Sequence, residues 1–444
     1  MPGTPSPDPI STKLERIATL ARHRPALVLT SLAHHIDVAL LREAYRRIRK
    51  DGAVGVDGQT AAAYAANLET NLQTLLDRFK AGTYHAPPVR RVHIAKGRSG
   101  KTRPIGIPTF EDKILQRAVA MVLEAVYEQD FLPCSYGFRP GRSAHQALQI
   151  LWEALTEMHG GWVLEVDIQS FFDTLDHERL RLMLDQRVRD GVLRRTINKW
   201  LKAGVLEAGA VRHPTTGTPQ GGVISPLLAN IYLHEVLDQW FETVVKPRMQ
   251  GRAQLIRYAD DIVILFSSEH DARRVLAVLS KRFGKYGLTI HAEKTRLVDF
   301  HQPRGPVPRA TRPATFDLLG FTHFWAESWR GRWVLKRKTA RSRLNRAVIA
   351  ASTWCRIHRH RPIVEQHRRL TLMLRGHYGY FGITGNFRSL QAYREAVVRG
   401  WRKWLDRRSQ RARMNWLRFH RLLERYPLPA PVVVHTVYRR AAKP

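Results

Sequence analysis

Cysteine is nearly absent: the 444 residues contain only Cys134 and Cys355. Lying so far apart, they form no C-x-x-C pair, which excludes a zinc ribbon or Cys-rich finger. A disulfide framework is not expected, and a reducing, cytoplasmic location fits. No apolar run approaches the roughly 18 residues that span a bilayer. The Pro-rich start, Met1 to Pro9, has no apolar signal core. No heptad pattern, low-complexity tract or fixed-period repeat stands out. Acidic residues are sparse as well: 38 Asp and Glu stand against 73 Lys and Arg, a net charge of +35. An excess of that size calls for a polyanion, either nucleic acid or an anionic membrane. With no span and no signal core, nucleic acid is the better partner.

The length is enough for two to four domains, and a 44% hydrophobic composition permits a packed core. The charge is uneven. His301 to Pro444 hold 32 Lys and Arg but 6 Asp and Glu, or +26, leaving +9 for the preceding 300 residues. Seven of the 11 tryptophans also fall in that last third, which reads as a separate, strongly basic region.

The densest chemistry lies in Leu255 to Phe266, where Asp260 and Asp261 sit between two apolar, β-branched runs. Such runs favour strands, giving strand, tight turn, strand. Alone, an Asp-Asp pair is a polar hairpin tip, because Asp favours turns. Held together there, the carboxylates also concentrate negative charge that a cation must neutralise. Hard oxygen ligands suit Mg²⁺, which takes one or two carboxylates plus phosphates and water. Trp162 to Ile168 reads as a mostly buried strand carrying Asp167 at its end, a third ligand beside that pair. Asp173, on the next turn, reads as a cap or ion-pair partner.

Val89 to Pro108 reads as two strands around a glycine-and-cation tip, with Lys96, Arg98, Lys101 and Arg103 near one end. Alone it is a solvated basic loop. On a hinged hairpin, these cations can close over a triphosphate, Arg by bidentate contact and Lys as a point charge. Thr216 to Pro226 contains glycines that admit a close ligand and Gln220, which both donates and accepts; a structural turn is the plain alternative. Gly52 to Gly58 is glycine-rich, but no Gly-Lys-Ser/Thr follows, so Walker chemistry is excluded. Ser135 to Ser143 is a turn whose Arg139 and Arg142 either touch a template backbone or brace a loop.

Apolar spacing predicts helices over 40–48, 60–82 (ended by Gly82), 111–127, 176–204 with a break near Gly191, and 270–285. Residues 1–30 read as a loose tail leading into a helix, and 287–295 as a strand with a cationic end. Pro303, Pro306, Pro308 and Pro313 mark a linker, Phe316 to Phe324 a strand opening a new packing unit, and 336–425 a basic helical region. Near its end Trp416, Phe419 and Leu423 share one face. Arg411, Arg418 and Arg425 recur every seven residues on another, which reads as a phosphate track.

Together these motifs resemble the group II intron reverse transcriptase/maturase family, in order, over about residues 35–435. The matching stretches are Gly55 to Gly58, Arg103 to Pro108, Ser135 to Arg142, Asp167 with Phe171-Phe172-Asp173, Gly217 to Gly222, Tyr258 to Asp261, Glu293-Lys294-Thr295 and Leu319-Gly320-Phe321. Leu374 to Gly382 followed by Asn386-Phe387 is similar to the signature of the family's thumb, also called the maturase or X domain.

The resemblance implies an α+β, right-hand polymerase: fingers and palm with an antiparallel palm sheet, then a basic α-helical thumb. The expected division is a flexible tail over 1–30, fingers over 31–160, palm over 161–300, linker and palm–thumb strands over 301–335, thumb over 336–430 and a tail over 431–444. It implies that Asp167, Asp260 and Asp261, with the Ile168 carbonyl, hold two Mg²⁺ ions, for which Mn²⁺ can substitute. Lys96, Arg103, Phe172 and Gln220 would contact the dNTP, with Phe172 blocking a 2′-OH. Tyr258, Ala259, Lys294, Arg139 and Arg142 would face primer and template, and Arg411, Arg418 and Arg425 would bind RNA.

The implied partners are an RNA template, a DNA primer, dNTPs, a group II intron RNA and a DNA target, for a monomer or homodimer. Many relatives add a DNA-binding region and an endonuclease with paired cysteines. The early stop and missing cysteines lead to the expectation of neither an endonuclease nor a sizeable DNA-binding domain. Three functions fit: an RNA-directed DNA polymerase, an RNA-binding splicing cofactor, and an intron-independent relative serving defence or repair.

Overall fold

The computed structural model describes residues 9–95, 102–207, 210–212, 216–217, 221–305, 313–409 and 413–436. It divides into two compact units, Met1–Ala144 with Leu164–Leu297, and His145–Val163 with Val298–Pro444. In chain order the strands are β1 (Val89–Ala95), β2 (Thr102–Ile107), β3 (Trp162–Val166), β4 (Val205–Glu207), β5 (Ala210–Arg212), β6 (Ala253–Tyr258), β7 (Asp261–Phe266), β8 (Arg296–Asp299), β9 (Phe316–Leu318), β10 (Phe321–Glu327) and β11 (Trp333–Thr339).

The first unit is built on the two apolar runs that flank Asp260. They pair antiparallel as β6 and β7, in register from Ala253 opposite Phe266 to Tyr258 opposite Asp261. The sheet continues in the order β6–β7–β3–β8. Residues Ile262 to Phe266 are at most 2% exposed, so β7 is covered on both faces, which is why it reads as an unbroken apolar run. The helix Ser225–Leu233 is likewise buried on nearly every face, its Asn230 included. It runs on through π-helical turns at His234–Gln239 and Phe241–Val245. A second sheet, in the order β2–β1–β4–β5, contains the basic hairpin β1–β2.

Helix boundaries follow local signals. The expected 60–82 helix forms as Ala61–Ala65 and Leu68–Ala81, closed by Gly82 at φ 76°, a left-handed conformation that glycine adopts freely. The 176–204 segment splits into His177–Asp185 and Gly191–Leu201, capped by the side chains of Asp176 and Asp190.

Two expectations change. Within the expected tail, residues 9–23 are not loose: Pro9–His23 is helical, and its Ile17 and Ala21, one turn apart, are buried. Residues 287–295 form no strand. Ile290 alone bridges to Ile168, and the amides of Lys294 and Thr295 both donate to the His291 carbonyl, so the chain turns before β8 begins.

In the second unit β9, β10 and β11 form a meander. Leu319 (φ 50°) and Gly320 (φ 82°) make its first turn, both in the positive-φ conformation of a two-residue hairpin loop. His323, fully buried on β10, stacks on Phe316 at 4.8 Å. The helices Arg341–Ile357, Ile363–Phe381, Phe387–Asp406 and Trp416–Arg425 enclose Leu370, Leu374, Leu390, Val397, Trp401 and Phe419. The Trp401 indole N–H donates to Gln366 Oε1 at 2.9 Å, pairing two buried polar groups. Among the described residues no helix is long and apolar enough to cross a membrane.

Candidate active site

Because Tyr258 pairs with Asp261, the loop between β6 and β7 is Ala259-Asp260 alone. So short a loop fixes both carboxylates at one end of the sheet. Ala259 takes φ 54°, which is uncommon for a residue with a Cβ and needs support from its surroundings.

That support comes from beneath. Arg257 is fully buried, and all five of its guanidinium N–H groups are used. Nε donates to Asp238 Oδ1 at 2.7 Å and Nη2 to Asp238 Oδ2 at 2.6 Å. Nη2 also reaches Ser135 Oγ at 2.8 Å, while Nη1 reaches Asn230 Oδ1 at 2.9 Å and the Ala259 carbonyl at 3.2 Å. Asn230 in turn donates to the Gly137 carbonyl at 2.7 Å. The chain at 134–137 runs beside β6, with hydrogen bonds from Arg257 N to Cys134 O and from Tyr136 N to Arg257 O. Gly137 meets the turn so closely that a Cβ there would lie 2.3 Å from the Ala259 nitrogen. Sequence reasoning missed Arg257, Asp238, Asn230 and Gly137. The available signal was a lone arginine inside an apolar strand, since a guanidinium in that position requires a carboxylate partner.

Asp167 follows β3, the strand beside β7. Its amide donates to Thr295 Oγ1 at 3.3 Å and its carbonyl accepts from His291 N at 2.8 Å. Its carboxylate Oδ2 lies 2.5 Å from Lys294 Nζ. The half-exposed Asp167 and Asp260 and the exposed Asp261 are all hard oxygen donors at the ends of neighbouring strands, a donor set that fits Mg²⁺. Among the described residues no three His, Cys, Asp or Glu side chains already stand together as a metal cage. Asp167 is turned toward the Lys294 ammonium instead. Ile168 is buried and bridges to Ile290.

Phe172 is buried in the short helix Phe171–Thr174, its ring 5.4 Å from that of Phe171. Burial pushes the Asp173 carboxyl up, against the pull of Arg91 and Arg103. Arg103 is exposed on β2, opposite Ile94. The glycine loop packs closely at both ends. A Cβ on Gly217 would lie 2.8 Å from the Asp173 carbonyl oxygen, and one on Gly221 2.4 Å from the Gly106 oxygen. Lys96, Gln220 and Arg411 lie outside the described residues.

Of the two alternatives for Arg139, bracing is the one formed: it is buried, ion-paired to Glu128 at 3.0 Å, and hydrogen-bonded to the carbonyls of Leu132 and Ser135. Arg142 is exposed, 5.4 Å over the Tyr136 ring. Tyr258 faces Phe138 at 6.2 Å. Arg418 and Arg425 are exposed on the helix Trp416–Arg425, opposite the buried Phe419.

An antiparallel strand pair with two carboxylates at its turn, and a third carboxylate on the adjoining strand, define the class: a palm-type nucleotidyl transferase of the right-hand polymerases. Residues 94–323 match the family described as reverse transcriptase (RNA-dependent DNA polymerase), and the chain belongs to that family. It is 38% identical over 288 residues to protein YkfC of Escherichia coli K12, covering 58% of this chain and 75% of that protein. It is 39% identical over 236 residues to the group II intron-encoded protein LtrA of Lactococcus lactis, covering 51% of this chain and 38% of LtrA. A putative COX1/OXI3 intron 1 protein of Saccharomyces cerevisiae is 28% identical over 317 residues, 60% of this chain and 37% of that protein. The chain thus spans three quarters of YkfC but well under half of the two intron proteins. The enzyme is an RNA-directed DNA polymerase, and nucleic acid is its partner. Enzymes of this family use divalent metal ions.

Proposed function

We propose that the chain extends a DNA primer on an RNA template at Asp167, Asp260 and Asp261, and that its basic thumb binds a structured intron RNA. The observation that supports the catalytic reading is the placement of three carboxylates at the ends of the adjacent strands β3 and β7. These carboxylates, with the Ile168 carbonyl, would hold two Mg²⁺ ions, or Mn²⁺ in their place. When bound, the ions supply Lewis-acid activation of the primer 3′-OH and neutralise charge on the transferring phosphate.

The chain's own groups do the rest. Asp260 and Asp261 are held at a fixed spacing by the two-residue loop. Lys294, beside Asp167, would approach the primer end. Lys96 and Arg103 grip the triphosphate from the basic hairpin, with Gln220 beside the incoming nucleotide and Phe172 under its sugar. Tyr258, Ala259 and Arg142 lie toward primer and template.

The intron reading draws on the +26 charge of residues 301–444 and on the relation to LtrA, an intron-encoded protein. Arg411, Arg418 and Arg425 would follow its phosphates.

Primer extension on RNA with Mg²⁺ tests the catalytic reading. Asp260→Ala and Asp261→Ala are expected to lower extension at least about a thousandfold, while RNA binding stays near wild type. Wild-type-like extension by either variant removes the metal assignment. Splicing of an intron flanking the gene, assayed with and without the protein, tests the second half.

A further inference from the structure

The geometry points to Arg257 and Asp238 as positioning residues: together they set the peptide that carries Asp260, and so the metal affinity of the catalytic turn. The inference rests on the reading of Asp260 and Asp261 as metal ligands.

The argument begins with what an unsupported turn would do. A two-residue loop with a positive-φ alanine has nothing internal to fix the orientation of its central peptide. Here the Ala259 carbonyl accepts from Arg257 Nη1 at 3.2 Å. Gly137, pressed against the Ala259 nitrogen, blocks movement from the other side. The guanidinium cannot rotate away, because Asp238 holds its Nε and Nη2 in a fork at 2.7 and 2.6 Å. Neither side chain has any solvent exposure. A fork–fork pair of this kind fixes direction as well as charge. Asp238 is itself held on a rigid π-helical turn that continues the apolar helix Ser225–Leu233. Asn230, one face of that helix, closes the ring by bonding both Arg257 and Gly137.

A merely structural ion pair would not need its fifth N–H aimed at the catalytic loop. The pair also contacts no expected substrate position, so its influence passes through the Ala259–Asp260 peptide. Groups that orient metal ligands in this way typically change metal affinity or turnover by about 10–100-fold when altered.

The test uses the full-length protein and three variants. Arg257→Lys keeps the charge but loses the fork and the link to Ala259. Asp238→Asn keeps the shape but loses the charge. Ser135→Ala removes one bond to the same guanidinium without touching the turn. Mn²⁺ affinity, followed by its electron paramagnetic resonance signal in the absence of nucleotide, is expected to fall about tenfold for Arg257→Lys and Asp238→Asn. Their kcat in primer extension is expected to fall about 10–100-fold with dNTP KM and RNA binding little changed, and Ser135→Ala is expected to stay within about threefold of wild type.

Unchanged Mn²⁺ affinity and kcat in folded Arg257→Lys overturns the inference. So does a loss of activity that only matches the fraction unfolded by thermal melting. If Arg257→Lys fails to fold, Asn230→Ala takes its place, with the same Mn²⁺ and kcat losses expected and their absence again decisive. Should Asp260→Ala itself leave Mn²⁺ binding intact, the metal assignment fails first. Loss of binding in Asp260→Ala but not in Arg257→Lys defeats the positioning role alone.

Discussion

At the scale of single residues, position in the sheet decides chemistry. Asp260 and Asp261 differ from other aspartates in the chain because a two-residue loop leaves them no freedom of spacing. Phe172 is buried against Phe171, so its ring is a rigid wall. Phe172→Ala is expected to raise incorporation of NTPs relative to dNTPs by about tenfold, roughly 1.4 kcal/mol, measured by single-nucleotide extension with each substrate. Unchanged sugar selectivity assigns the wall no role in discrimination. A second residue-scale effect concerns stability. Burial, with Arg337 nearby, lowers the His323 pKa to about 3, and burial lowers that of His377 to about 4. Both therefore bind protons more readily in the unfolded chain. Stability is full above the ordinary histidine value near 6.5 and falls as pH drops toward 3–4, by at most about 1.4 kcal/mol per pH unit for each histidine. Denaturant titration between pH 7 and 4 should show this slope, and His323→Phe should reduce it.

At the scale of elements, the β6–β7 hairpin and the 134–137 segment behave as one unit. Gly137→Ala forces a Cβ to 2.3 Å from the Ala259 nitrogen, so the turn must move. Extension should fall at least about tenfold while the thermal midpoint drops only a few degrees; equal activity would show that the turn tolerates displacement. Much of the fold at this scale was legible in the sequence, because its signals are local. Gly82 ends a helix where the apolar spacing expects it, and the β-branched, apolar runs around Asp260 form the expected strands. What was not legible depends on distant partners. Residues 287–295 look like a strand, yet the strand that joins β3 begins only at Arg296. The Arg257–Asp238 pair was invisible because its partner lies on a π-helical turn, whose residue spacing differs from the 3.6 period used to read helices. The three candidate carboxylates, Asp167, Asp260 and Asp261, stand out in the sequence by type and order. The residues that aim them are ordinary Asn, Ser, Gly and Arg, and no pattern distinguishes these until the backbone brings them together.

For the whole molecule, the dominant quantity is charge. With +35 overall and +26 beyond residue 300, RNA binding is expected to weaken steeply with salt. Each phosphate contact contributes about 0.7–0.9 to the slope of log affinity against log salt. Replacing Arg418 and Arg425 by Gln should flatten that slope by about 1.5, read from filter binding across 50–300 mM salt; an unaltered slope would place the RNA on another face. The same sheet that carries the chemistry also sets when it can appear. In the order β6–β7–β3–β8, β3 finds its neighbours only after roughly a hundred further residues have been made, and the Lys294 turn follows later still. Pairings of that range form late and together. A chain shorter than about 300 residues therefore lacks both the strand that completes this sheet and the turn that carries Lys294.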